Sequence, residues 1–422
     1  MSSFRQFLSR LAFRRTAIPT EISGYVAPGF EFVEKAFRKN FESGKDIGAS
    51  FAVYHNGKLA VHLWAGSSDK QTKQPWKENT MSCFFSTTKA MTSLCLAILA
   101  DRKLIDYKSQ VVQYWPEFGQ NGKETITVEQ LVSHQAGLIE IPTLLSLEIL
   151  EDHVKLGEII STLKPSWVPG SCHGYHALTF GWLVDQLVRR VDPNHRSVGQ
   201  FFQDEVAKPF GIDFYIGLPE HLNSCVASLE RENMLDGLTT LMRDQRFRPM
   251  LKAMGQGGNS LLWKSLKNLG IAGKMDLHKP EHYSLEVPAA NGIGTAKGVA
   301  KVFGILSNGG FDRETGKQLL SKEMIDRLLV PLTSGLEKVF MFETNFSLGF
   351  ATEEFEGRTI FGHSGSGGQG GFADPYYHLG WAYLTRKMMT SPPAQDKSKR
   401  DVKDIDQGLE EFMRERGMTD KQ

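Results

Sequence analysis

The chain has no uninterrupted apolar run of about 18 residues, so no helix is expected to cross a bilayer. An excess of either charge is also missing: 49 Lys and Arg stand against 48 Asp and Glu, a formal net charge of +1. With no dense basic patch, that balance excludes the electrostatic footprint of a nucleic-acid binder. Cysteine is scarce. The four residues Cys83, Cys95, Cys172 and Cys225 lie far apart and lack the paired spacing of a zinc site. Two of them sit in or beside apolar segments, as buried free thiols of a reducing compartment do. Internal repeats and low-complexity tracts are absent as well. What remains is ordinary globular text, 41% apolar and 23% charged over 422 residues.

Acidic residues are missing from one place in particular. MSSFRQFLSRLAFRRTAIP carries four arginines and no acid before Glu21, with Phe4, Phe7, Leu8 and Leu11 at helical spacing. That composition fits a mitochondrial presequence, or else a short surface helix docked on the domain. The location expected is accordingly mitochondrial or cytoplasmic. A secretory apolar region is lacking, so the lone sequon Asn345-Phe346-Ser347 carries no weight. Residues 1–24 are read as an N-terminal amphipathic segment, 25–415 as the main domain and 416–422 as a tail.

Periodicity divides the main domain. ASFAVYHNGKLAVHLWAG, from Ala49, places two β-rich runs around Asn56-Gly57, a strong hairpin signal. From about residue 84 to about 270 the spacing turns helical, as in residues 127–133 and 177–191. Strand-like text returns in RTIFGHSG and HLGWAYLTR. Beyond Pro392-Pro393, Val402, Ile405, Leu409 and Phe412 share one face of a closing amphipathic helix. The expectation is an antiparallel sheet built from about 25–80 and 280–415, with a helical part over about 81–279.

Several catalytic signatures are absent. There is no G-x-S-x-G nucleophile elbow and no H-E-x-x-H zinc motif. His173 and His176 have no evident third metal ligand and read as structural or pocket-lining. Gly365 to Gly370 matches G-x-G-x-x-G in form only, lacking a following helix. Against these absences stands FFSTTKAMTSLCLAILA, residues 84–100, in which Ser86 and Lys89 are three apart at the start of an apolar helix. One turn of helix puts both side chains on one face. A serine needs a base, and a lysine can serve if burial and the helix N-terminus lower its pKa from about 10.4 towards 7–8. A capping serine with an exposed lysine behind it is the alternative.

Two more segments give Ser86 a context: VPGSCHGYHALTFGWL, where Tyr175 follows a Pro-Gly turn, and FGHSGSGGQGGFADP, where a strand runs into glycines. Taken together the chain resembles the serine β-lactamase and penicillin-binding-protein superfamily, in its class C-like and esterase-like branch. Ser86-Thr87-Thr88-Lys89 matches S-x-x-K, Tyr175-His176-Ala177 stands where the family has Y-x-N, and His363-Ser364-Gly365 where it has K-T-G or H-x-G. LVSHQAGL (131–138), NGIGTAKGVAKVFGIL (291–306) and GGFADP (370–375) add to the likeness, which spans roughly residues 25–415. The resemblance implies an α/β (α+β) β-lactamase/transpeptidase-like fold, an antiparallel sheet flanked by helices with an inserted all-helical domain.

The resemblance also implies roles. Ser86 would attack the carbonyl, Lys89 would be base or electrostatic partner, and Tyr175 would relay the proton to the leaving group. His363 and Ser364 would line the strand edge that holds substrate, and the N–H groups of Ser86 and Ser366, beside Gly365, would form the oxyanion hole. No metal or organic cofactor is implied. Ala177 and His363 replace the asparagine and lysine that help to hold a β-lactam, and a histidine carries only part of a charge at neutral pH. The expected activity is carboxylesterase-type hydrolysis of a small ester, or an amide, through an acyl-enzyme. Peptidase, β-lactam hydrolase and a non-catalytic scaffold are the alternatives. Residues 220–270, rich in Leu and Met, read as a lid or as plain helical core.

Overall fold

The computed structural model describes residues 21–231, 245–268, 276, 277, 279–355 and 357–388. The arginine-rich stretch 1–20, the closing helix expected at 402–412, the tail 416–422 and part of 220–270 lie outside the described residues. Strand β1 (Ile22–Val26) and helix α1 (Glu31–Glu42) lead into a hairpin of β2 (Gly48–His55) and β3 (Lys58–Gly66). Asn56 and Gly57 both take left-handed φ, 50° and 71°, the primed turn that matches strand twist. Helix α2 (Thr88–Asp101) follows, then α3 (Thr179–Val191) and α4 (Ala296–Ser307). The chain then lays down β4 (Thr333–Leu336), β5 (Glu343–Phe346), β6 (Ala351–Phe355), β7 (Arg358–Ser364), β8 (Gly370–Asp374) and β9 (Leu379–Thr385).

These strands form one nine-stranded sheet, β1-β3-β2-β9-β8-β7-β6-β5-β4, antiparallel throughout. Strands from the two ends of the chain meet inside the sheet, where Ala52 of β2 faces Ala382 of β9. The period of two along β2 supplies both faces. Phe51 and Val53 join Phe37 and Phe41 of α1 in one core cluster, while Ala52 and Tyr54 join the larger core beneath α4. The fold is thus a sheet covered by helices on both faces, with most helices between β3 and β4.

Helix α2 is the centre of the larger core. Every residue from Thr88 to Ala100 is buried, so the helix is enclosed all round rather than amphipathic at a surface. Its polar side chains are tied to carbonyls: Thr92 Oγ1 donates to Pro288 O at 2.5 Å, and Ser93 Oγ lies 2.7 Å from Lys89 O and 2.9 Å from Gly349 O. These bonds avoid the cost of about 1–3 kcal/mol for each buried polar group left unpaired. Among the described residues no helix is long and apolar enough to cross a membrane.

Candidate active site

Ser86 lies in one 3-10 turn, Phe85–Thr87, immediately ahead of α2. The strand before it, Ser82–Cys83, pairs with Ile293–Gly294 and fixes where the turn begins. Two further bonds clamp it: Phe84 N–H donates to Gly292 O at 2.8 Å, and Gly292 N–H to Thr88 Oγ1 at 2.8 Å. Phe85 is held at φ 49°, a left-handed conformation that costs a non-glycine residue about 1–3 kcal/mol and survives only where its surroundings impose it. The result is a half-exposed Ser86 that caps nothing: among the described residues its oxygen accepts no backbone N–H.

Lys89 is fully buried, which disposes of the exposed lysine of the capping alternative. Its Nζ donates to Ala177 O at 2.8 Å and Ala289 O at 2.9 Å, lies 3.5 Å from Ser86 Oγ, and sits 4.7 Å from the Tyr175 ring centroid. Burial drives its pKa well below the ordinary lysine value. A neutral amine has two N–H groups and one lone pair. In that form the two carbonyls take the N–H groups, and the lone pair is left facing the Ser86 hydroxyl. The Ala289 carbonyl reaches Lys89 because α3 can press close: a Cβ on Gly181 would stand 2.3 Å from Ala289 N.

Strand β7 brings in the other wall. Its end crosses the Ser86 turn so tightly that a Cβ on Gly365 would stand 2.2 Å from Phe84 O, and only glycine permits that approach. His363 is buried on this strand, Ser364 and Gly365 are half-buried, and Ser366 is exposed. The bond from His363 Nδ1 to Ser364 O, at 2.7 Å, requires the proton on Nδ1. Nε2 is therefore an acceptor, and it faces the Tyr175 hydroxyl at 3.5 Å. Burial pushes the His363 pKa down to about 3. This corrects the expected partial charge: the histidine is neutral at pH 7 and offers a carboxylate no cation.

Tyr175 comes from the coil just before α3, and burial of its phenol raises its pKa. The Ser86 hydroxyl acts against that rise, and the charge of Glu337 adds to it. The group is a phenol, not a phenolate, at neutral pH. The N–H groups of Ser86 and Ser366 find no acceptor among the described residues, as donors kept for a ligand would. Ala177 contributes its carbonyl to Lys89, and its methyl side chain offers substrate no amide. Ser86, Lys89, Tyr175 and His363, up to 277 positions apart in sequence (363 − 86), thus converge on one site.

Residues 33–404 match the family described as Beta-lactamase. The chain belongs to the β-lactamase family. It is 32% identical over 377 residues to the esterase/β-lactamase LipL of Mycobacterium tuberculosis, covering 87% of this chain and 84% of that protein. It is also similar to the crystal structure of a family VIII carboxylesterase, at 33% identity and TM-score 0.81 over 92% of this chain and 100% of the other. A penicillin-binding-protein homologue from Caulobacter crescentus aligns at 29% identity and TM-score 0.79, over 92% of this chain and 100% of the other. The β-lactamase-family fold expected from the motifs is the one found.

Within this family fold the remaining candidates fall into place. His176 Nε2 accepts Leu138 N–H at 2.9 Å, and its Nδ1 faces Gly174 O at 2.8 Å. His173 bonds Thr344 Oγ1 at 3.1 Å, so both histidines hold loops together. The glycines from Gly365 to Gly370 lead into strand β8, not a helix. Among the described residues no group of three His, Cys, Asp or Glu could hold a metal. All four cysteines are free. Sequence reasoning missed the carbonyls of Ala177 and Ala289, and it missed Glu337. His134, in the segment 131–138, has a buried ring 4.9 Å from that of Tyr175.

Proposed function

We propose that Ser86 is the acylated nucleophile, Lys89 its neutral base, and Tyr175 the phenol that protonates the leaving group. The chain is a serine hydrolase of ester and amide bonds with esterase-type activity. One observation supports these roles above the others: a fully buried Lys89 has both N–H groups taken by carbonyls and its remaining face 3.5 Å from a half-exposed serine. Ser86 O–H gives its proton to Lys89 as Oγ adds to the carbonyl carbon. The oxyanion collects at the N–H groups of Ser86 and Ser366, and the alcohol departs with a proton through Tyr175. Water then repeats the sequence on the acyl-enzyme.

The substrate proposed is a short, uncharged carboxylic ester. Tyr175 is bordered by Phe346, stacked at 6.0 Å between centroids, and by Phe340, edge-on at 5.7 Å. Those rings favour an apolar group, and neutral His363 gives a carboxylate little reason to bind. A fluorophosphonate probe tests the assignment. It should label the wild type once per chain and leave folded Ser86→Ala unlabelled by intact mass, and labelling that persists in the variant refutes it.

A further inference from the structure

Glu337 is a buried carboxylate, 1% exposed, that no part of the chemistry above uses. It stands where β4 ends and opens the loop that returns as β5. Its Oε2 accepts Tyr175 N–H at 2.8 Å and Val339 N–H at 2.9 Å, while Oε1 accepts Phe340 N–H at 2.5 Å. The main chain closes the same loop, with Glu337 N–H donating to Phe342 O at 2.9 Å and Lys338 N–H to His173 O at 3.1 Å. No ion pair neutralises it among the described residues. A carboxylate taken out of water without a counter-ion is costly, and an ordinary loop closure does not need one. Here it joins two things that the proposed reaction requires together: the backbone of Tyr175 and the loop carrying Phe340.

We propose that Glu337 is a positioning residue for Tyr175, one carboxylate holding the tyrosine backbone and the aromatic loop over the site in a single unit. This rests on the reading of Tyr175 as the donor to the leaving group. Tyr175 lies in coil ahead of α3, which begins at Thr179; its neighbours are tied to His134, Gly174 N–H to the carbonyl at 3.0 Å and His176 N–H to Nδ1 at 3.1 Å, while the N–H of Tyr175 itself is held by Glu337. Phe340, within this loop, is edge-on to the Tyr175 ring, and Phe346, at the end of β5, stacks on it. The negative charge of Glu337 adds to the rise in the Tyr175 pKa that burial causes, and the phenol is protonated at neutral pH. Holding the phenol in place serves proton donation and does not assist attack by Ser86.

That asymmetry supplies the test. At neutral pH 4-nitrophenolate leaves an ester without a proton, whereas ethoxide does not. Glu337→Gln keeps the size of the side chain but exchanges a two-oxygen acceptor for an amide. It should lower kcat/KM for ethyl butyrate, which reports the steps through acylation, by about ten- to a hundredfold, the cost of a misplaced catalytic group. The loss in kcat/KM on 4-nitrophenyl butyrate should be at least about fivefold smaller, because proton donation to that leaving group contributes little. Tyr175→Phe should show the same contrast, and the double variant should lose no more than Tyr175→Phe alone. Equal losses on both esters, or additive losses in the double variant, overturn the proposal. If Glu337→Gln does not fold, Glu337→Asp carries the same test: a selective loss on the ethyl ester supports the proposal and an equal loss refutes it. Ser86→Ala is the control. Ester turnover that survives in Ser86→Ala overturns the nucleophile assignment itself, whereas equal losses in a Ser86-dependent enzyme overturn only the role of Glu337.

Discussion

A neutral lysine and a charged lysine leave different marks on stability, which makes Lys89→Met a sharp test of the base. In the unfolded chain a lysine keeps its proton up to about pH 10.4. In the fold Lys89 is fully buried and its pKa is depressed by desolvation. Between the folded value and about 10.4 the unfolded state binds one proton more than the folded state. Wild-type stability therefore rises with pH in that window, by about 1.4 kcal/mol per pH unit, and falls as the pH is lowered towards the folded pKa. Below the folded pKa both states hold the proton and the slope vanishes. Methionine has nearly the same length and no proton, so the variant lacks this slope. It also strands the carbonyls of Ala177 and Ala289, a pH-independent offset of about 1–3 kcal/mol each. If Lys89 is neutral at pH 7, as a base there requires, the stability difference, wild type minus variant, should grow by about 2.7 kcal/mol between about pH 7 and 9, read by equilibrium urea unfolding at constant ionic strength. Ester turnover should be lost at every pH. A difference that stays flat across that range means that Lys89 is protonated in the fold, and it refutes Lys89 as a base at neutral pH.

Two further outcomes are expected. A short-chain aryl ester should show a kcat/KM at least about tenfold above that of a chromogenic cephalosporin, because the absent cation at His363 forfeits a charge-assisted bond of about 1.5–3 kcal/mol; His363→Lys should narrow the gap, and a wild type that prefers the cephalosporin contradicts the argument. Residues 1–24 fused to a fluorescent reporter should carry it to mitochondria, whereas a diffuse cytosolic signal rules out a sufficient presequence.

How legible the site was depended on how far each interaction reaches along the chain. Asn56-Gly57 was readable because the turn is set by two residues with left-handed φ. Helix α3, expected over 177–191, spans Thr179–Val191, since its apolar face is a local pattern. Thr127 caps the helix Val128–Val132 with Gln130 in reciprocal bonds, again a local signal. The start of α2 was less legible: Phe85 turns left-handed under constraints from Gly292 and Thr88, so Ser86 occupies a separate turn. The carbonyls that hold Lys89 lie 88 and 200 residues away and are backbone atoms, which no residue-type pattern reports. His363 was recognisable by motif, but its charge was not, because the burial that neutralises it comes from tertiary packing. Glu337 escaped notice for a related reason. A glutamate between two strands reads as solvated surface until the loop folds back on it.

The electrostatic economy of the proposed site follows from these positions. In the proposed reaction all four side chains start neutral: Lys89 as an amine, Ser86 as an alcohol, Tyr175 as a phenol and His363 with its proton on Nδ1. Attack by Ser86 would then create an oxyanion and a lysine ammonium together, a few ångströms apart. The ammonium needs no rearrangement, because the Ala177 and Ala289 carbonyls that accept from the amine already point at Nζ and accept equally from the cation. Dipoles fixed in advance stabilise the charge as it forms, without the reorganisation that water would require. The third N–H of the ammonium then faces the Ser86 oxygen and the Tyr175 phenol, the path along which the leaving group regains a proton. A cation at position 363 would disturb this sequence, since a fixed positive charge beside Lys89 makes the ammonium harder to form. The neutral histidine thus weakens a carboxylate anchor and protects the base by the same substitution. An ester without a carboxylate gains the second effect without suffering from the first.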